Sequence, residues 1–111
     1  HRPELQQFSI QLTYPTYLKK APETIQNNGN LQVPEGTKAA WTFLTSNTED
    51  VAILFEPDTT PLPTVRLLKD QSFEFKKTLS KSGVYDIQLK NNHGSNKEPM
   101  KYSIQVIEDQ Y

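Results

Sequence analysis

Few side chains in this 111-residue chain could do chemistry, and their spacing narrows what that chemistry could be. His93 is the single internal histidine, and Ser95 and Asp86 nearby are the partners that a Ser-His-Asp arrangement would need. Nucleophilic catalysis requires hydroxyl and imidazole within hydrogen-bond reach, with an oxyanion site beside them. A Gly-containing hairpin loop that carries both His93 and Ser95 offers no such rigidity, so His93 is expected to be a solvated loop residue. Zinc needs three or four converging Cys, His or carboxylate ligands. With His1 and His93 the only histidines and no cysteine, no spacing resembles a zinc site. Glu49, Asp50, Glu56 and Asp58 flank one apolar segment and are the candidates for calcium. Calcium takes six or more oxygens arranged by a rigid loop. No Asp-x-Asp-x-Asp-Gly run exists here, and ordinary solubilising charge is the plainer reading. Glycoside hydrolysis would need two carboxyls roughly 5 to 9 Å apart in a cleft, and nothing marks such a pair. The four glycines form no Gly-x-x-Gly cluster that would cradle a phosphate. No catalytic, cofactor-binding or metal-binding residue is therefore assigned, and the chain is not expected to be an enzyme.

Aromatic residues are the other candidates. Tyr14 and Tyr17 bracket Pro15 in a polar stretch, where tyrosine presents an apolar ring and a polar tip. Exposed, they could stack on a sugar ring or anchor a protein partner. The plainer expectation is that one or both cover the end of the fold, because long crossovers pin themselves with apolar side chains. Trp41, Phe43, Phe73 and Phe75 are expected in the core.

Composition bounds these readings. Twelve basic and thirteen acidic residues give a net charge of -1, against a nucleic-acid-binding face, which needs a basic excess. No apolar run reaches the ~20 residues of a membrane helix. The length suits one domain, residues 1–111, with a single core. The chain opens without Met and stops after Glu108-Asp109-Gln110-Tyr111. It is expected to be a segment of a longer protein, with His1 either native or a tag remnant.

Strand signals dominate. Phe8, Ile10 and Leu12 alternate with polar residues, as do Ala39, Trp41 and Phe43, Phe73 and Phe75, and Tyr85, Ile87 and Leu89. Met100, Tyr102, Ile104 and Val106 form the last such series. Leu31 to Val33, Val51 to Phe55 and Val65 to Leu68 are further strands, the last at an edge. Tyr14 to Asn30 and Glu56 to Pro63 are expected to be loops. Val33-Pro34-Glu35-Gly36 suits a type I turn. Seven to nine short strands separated by turn signals predict an all-β sandwich of two antiparallel sheets. A hairpin from Gly83 to Glu108, with a polar loop from Asn91 to Pro99, closes it. The outward Lys and Gln residues (Lys76, Lys77, Gln88, Lys90, Lys101, Gln105) are expected to be solvated, and edge lysines discourage strand addition.

Gly83-Val84-Tyr85 resembles the tyrosine-corner region of immunoglobulin-like domains. There a Gly or Ala precedes a Tyr by two residues at the start of the penultimate strand, and the Tyr hydroxyl bonds back to backbone at the corner. Ile87 stands where antibody domains carry Cys, Lys81 replaces the usual acidic residue, and Trp41 falls on the second strand rather than the third. The resemblance is thus to the broad bacterial immunoglobulin-like class. Three further elements occur in order: Arg2-Pro3-Glu4-Leu5 before the Phe8 strand, Tyr14-Pro15-Thr16-Tyr17, and Gly29-Asn30-Leu31-Gln32-Val33-Pro34-Glu35-Gly36-Thr37. Their order is similar to the immunoglobulin-like exported segment of large, uncharacterised envelope proteins of Bacteroidetes type.

That resemblance implies a periplasmic or cell-envelope location, with the membrane engaged only through the parent protein. It implies a structural or protein-interaction module with an unknown protein partner, no nucleic acid, no cofactor, and a monomeric isolated domain. A carbohydrate-binding or adhesin module using Tyr14 and Tyr17 is the second reading, and an enzyme of unrecognised type the third.

Overall fold

Side chains on a strand point alternately to its two faces, so a period-two sequence buries one face and wets the other. The computed structural model describes residues 2–67, 71–96 and 100–108. Among these, eleven strands follow in order: β1 (Glu4–Thr13), β2 (Glu23–Gln26), β3 (Leu31–Pro34), β4 (Thr37–Ser46), β5 (Asp50–Phe55), β6 (Leu62–Pro63), β7 (Val65–Arg66), β8 (Ser72–Leu79), β9 (Gly83–Asn91), β10 (Gly94–Ser95) and β11 (Lys101–Ile107). A 3-10 turn, Thr16–Leu18, lies between β1 and β2. One sheet has the order β2-β1-β4-β8-β7 and the other β3-β11-β9-β5-β6, with β10 paired to β9. The two sheets pack as an immunoglobulin-like sandwich. Phe8, Ile10, Leu12, Trp41, Phe43 and Phe73 from the first sheet meet Val33, Ile53, Tyr85, Ile87 and Leu89 from the second.

Several boundaries differ from the sequence expectation, each for a local reason. The expected loop Tyr14 to Asn30 contains β2, which pairs antiparallel with β1 from Ser9↔Gln26 to Leu12↔Glu23. As an edge strand β2 buries almost nothing, only Ile25 packing on the core, so it carries no alternation. Pro34 is the last residue of β3 and Gly36 has φ +90°, so the turn sits one residue later than Val33–Gly36. The Thr37 hydroxyl closes it by donating to the Pro34 carbonyl at 2.7 Å. The second sheet is not wholly antiparallel, because β3 runs parallel to β11 from Ile104↔Leu31 to Ile107↔Pro34. The Glu56–Pro63 loop ends in β6, and the edge strand at Val65 is shorter than expected, with Leu68 outside the described residues.

The closing hairpin is divided. β11 pairs with the first half of β9, from Lys101↔Asp86 to Ile104↔Gly83. The second half of β9 turns back tightly at Asn92-His93 into β10, with Gly94↔Asn91 and Ser95↔Lys90. The Asn96 carboxamide oxygen accepts from Leu89 N–H at 3.0 Å and continues that pairing. Pro99, the far end of the expected loop, lies outside the described residues.

The chain changes sheets between β2 and β3, and Asn27 and Asn30 of that crossing each serve one side. Asn27, at φ 55°, bonds β1 twice: its N–H donates to the Phe8 carbonyl (2.8 Å) and its side chain accepts from Phe8 N–H (2.9 Å). Asn30 accepts from Ser103 N–H of β11 at 2.9 Å. Between them Gly29 is buried so closely that a Cβ would overlap the Tyr102 ring and lie 2.7 Å from the Tyr85 hydroxyl oxygen. Gly29→Ala should therefore destabilise the domain by about 3 kcal/mol through overpacking. Urea unfolding measures it, and a change below about 0.5 kcal/mol would show that the crossing yields freely.

Candidate functional site

Gly83 opens β9 and places Tyr85 with its ring wholly buried between the sheets. Its hydroxyl donates to the Gly29 carbonyl at 2.5 Å and accepts from Trp41 Nε1 at 3.2 Å. The backbone bond thus goes to the β2–β3 crossing and not to the turn beside Gly83. Trp41 stands edge-on to the Tyr85 ring with centroids 5.5 Å apart, and Phe55 and Tyr102 lie at 5.7 and 5.8 Å. Burial raises the phenol well above its ordinary range, only partly offset by the Trp41 hydrogen bond. A neutral, doubly bonded phenol walled in by rings is a structural tie with no route to a substrate.

The residues that could have formed a triad are kept apart. His93 is exposed at the β9–β10 turn, where its N–H donates to the Asn91 side chain at 2.8 Å. Asp86 lies on the outward face of β9, roughly 17 Å along the strand from Asn91. Ser95 is an exposed partner of Lys90. The four carboxylates considered for calcium divide likewise. Glu49 and Asp50 precede β5 or begin it, and Glu56 and Asp58 follow its other end. Among the described residues no three His, Asp or Glu side chains are placed to share a metal ion.

Tyr14 and Tyr17 have different fates. Tyr14 continues the inward series Ile10, Leu12, Tyr14, is only 8 % exposed, and carries the Lys20 ammonium 4.6 Å from its ring centroid. Burial first, and the Glu23 carboxylate second, raise its pKa. Period two carried from Ile10 and Leu12 up to the residue before Pro15 is the signal that could have placed it. Tyr17 sits on the 3-10 turn and is 54 % exposed. The pair therefore forms no platform of two rings.

A polar hollow of 460 Å³ lies among the β4–β5, β7–β8 and β9–β10 connections. Asn47, Glu49, Arg66, Gln71, Asn92 and His93 line it. Much of its polarity is already engaged in holding the loops. Gln71 Oε1 accepts from Thr48 N–H at 2.7 Å, and Asn91 Nδ2 donates to the Asn47 carbonyl at 2.6 Å. These two bonds tie the β4–β5 connection to Gln71 and Asn91, and Arg66, Glu49, Asn92 and His93 also line the hollow.

The raised Tyr85 pKa has a consequence for stability. The folded state holds this proton more tightly than the unfolded chain, whose tyrosine titrates near 10. Its contribution is complete below pH 10 and is lost as the pH rises above it, with a slope of at most ~1.4 kcal/mol per pH unit for one group. Urea unfolding between pH 8 and the alkaline limit should show this fall, and Tyr85→Phe should flatten it. An equal slope in the variant would assign the alkaline loss to other groups.

No protein-family model, no curated protein and no solved structure matches the chain.

Proposed function

We propose that the domain is a non-catalytic module that spaces or contacts other proteins in the exported part of a membrane-anchored bacterial envelope protein. One observation carries the reading. Among the described residues the side chains with chemical potential are dispersed over the sandwich or sealed inside it, while the polar β4–β5 connection is held by Gln71 and Asn91. Rigid loops on a sandwich are a common way to present a contact surface. The envelope location is supported by the order of the Arg2–Leu5, Tyr14–Tyr17 and Gly29–Thr37 elements. A sugar-binding role needs neighbouring exposed rings, and of this pair Tyr14 is buried and Tyr17 exposed. An enzymatic role needs converging groups, which His93, Ser95 and Asp86 do not supply.

Two measurements test the proposal. The isolated domain should sediment as a monomer, with a melting temperature indifferent to EDTA and to added calcium. A melting shift with either would replace spacing by cation-dependent function. Immobilised on beads, the domain should retain a specific envelope protein. Arg66→Glu with His93→Ala should reduce recovery about tenfold, as loss of a contact pair does, while leaving the melting temperature within a degree or two. Unchanged recovery would move the contact away from the loops, and hydrolysis of a glycan or peptide substrate by the pure domain would end the non-catalytic reading.

A further inference from the structure

Strand β8 outlasts its edge partner. Main-chain groups of an antiparallel strand point alternately to its two neighbours. The Gln71 carbonyl accepts from Thr45 N–H, and the Leu79 carbonyl from Gly36 N–H, so odd-numbered residues face β4. The Ser72 carbonyl accepts from Leu67 N–H, so even-numbered residues face β7. Yet β7 reaches only Glu74 and Phe73. The chain enters β7 from the second sheet at Thr64, whose N–H and hydroxyl both donate to the Val51 carbonyl. Lys76 and Thr78 therefore aim their N–H and C=O groups at a position that no strand among the described residues occupies.

Two concavities adjoin this part of β8. On the outer face, Gln11, Thr13, Lys38 and Ala40 with Lys76 and Thr78 line a hollow of 420 Å³, its floor lowered by Ala40 opposite Lys76. Between the sheets, Phe55, Leu79 and Ile104 line another of 390 Å³, with Glu56, Asp58 and Lys81 around them. Lys77 follows Phe73 and Phe75 in the inward series, and its ammonium lies 4.9 Å from the Phe55 ring centroid. The outer hollow lies over β4, on the far side of β8 from the vacant position, so an added strand would set its outward side chains beside Lys76 and Thr78 and turn its inward ones toward the second hollow.

Charge selects the occupant. A second copy pairing antiparallel through the same edge would set either Lys76 or Lys77 against its own counterpart, and like charges opposite one another oppose pairing. The same lysines, with Lys38 beside Thr78, favour carboxylates. Lys76 also lies 3.6 Å from Glu74, but that exposed pair is too weak to withhold it. We infer that the β8 edge from Lys76 to Thr78 takes an extended acidic segment of a partner protein by strand addition. Its outward carboxylates lie beside Lys76, and its inward apolar side chains turn toward Phe55 and Leu79. This inference rests on the reading of the domain as an interaction module.

A capped eight-residue peptide of alternating Glu and Val, titrated into ¹⁵N-labelled domain, tests it. The Lys76 and Thr78 amides should shift and exchange more slowly, while a Lys-Val peptide of the same length leaves them unchanged. Thr78→Pro removes an N–H that takes no part in the β4 ladder, so it should lower affinity about tenfold or more with little change in melting temperature. Lys76→Glu with Lys77→Glu, which needs no backbone tolerance, should transfer the preference to the Lys-Val peptide. Equal binding of both peptides, no response at the two amides, or shifts confined to the His93 loops would overturn the edge assignment. Retention of an envelope partner by the Thr78→Pro domain at full strength would do the same while leaving the module reading intact.

Discussion

The sandwich depends on one buried hydroxyl. Tyr85 O–H joins the Gly29 carbonyl of the sheet-to-sheet crossing to the Trp41 indole of the first sheet, from a position on the second. Both partners are main-chain or aromatic polar groups that the core would otherwise leave unbonded, and a buried unbonded group costs about 1–3 kcal/mol. Without cysteine, the two sheets are held by ring packing around Tyr85 and by this pair of hydrogen bonds. Gly29 is the only residue type that admits the approach, since any Cβ there meets Tyr102 and Tyr85.

The same crossing logic shapes the surface. A chain that switches sheets covers the open side of a sandwich, and this one does so on both sides, through Asn27–Asn30 and through Thr64. On the first side both edge strands have four residues. On the second each has two, so part of the inner strand is left uncovered by any described strand. Lysines stand at that place, where a sandwich has to guard against pairing with its own kind. Guarding an edge against like copies and selecting an oppositely charged partner are the same electrostatic arrangement seen from two sides.

How much of this was legible depends on how local the signal is. Ala39, Trp41 and Phe43, and Tyr85, Ile87 and Leu89, announce their strands because burial of one face imposes period two on the sequence. Glu23-Thr24-Ile25-Gln26 does not, because an edge strand with one packed residue has no pattern to impose. The parallel pairing of β3 with β11 joins residues more than seventy positions apart through main-chain groups, which every residue type possesses. Gly83-Val84-Tyr85 pointed to an ordered tyrosine, but its carbonyl partner at Gly29 carries no side chain to give it away. The site was less legible than the fold. Tyr14 was readable as core by extending the Ile10–Leu12 series by one more step, up to Pro15. The uncovered segment of β8 follows from where the chain leaves the other sheet, and composition has nothing to say about that.

The most direct measurement of the central tie is the unfolding free energy of Tyr85→Phe at neutral pH, from urea denaturation with an unchanged m-value. The substitution keeps the ring and removes one oxygen, leaving the Gly29 carbonyl and the Trp41 indole N–H buried without their partner. A loss of about 1–3 kcal/mol is the result expected if the hydroxyl joins crossing to core. A loss below about 0.5 kcal/mol would show that ring packing alone holds the sheets together, and would contradict the account.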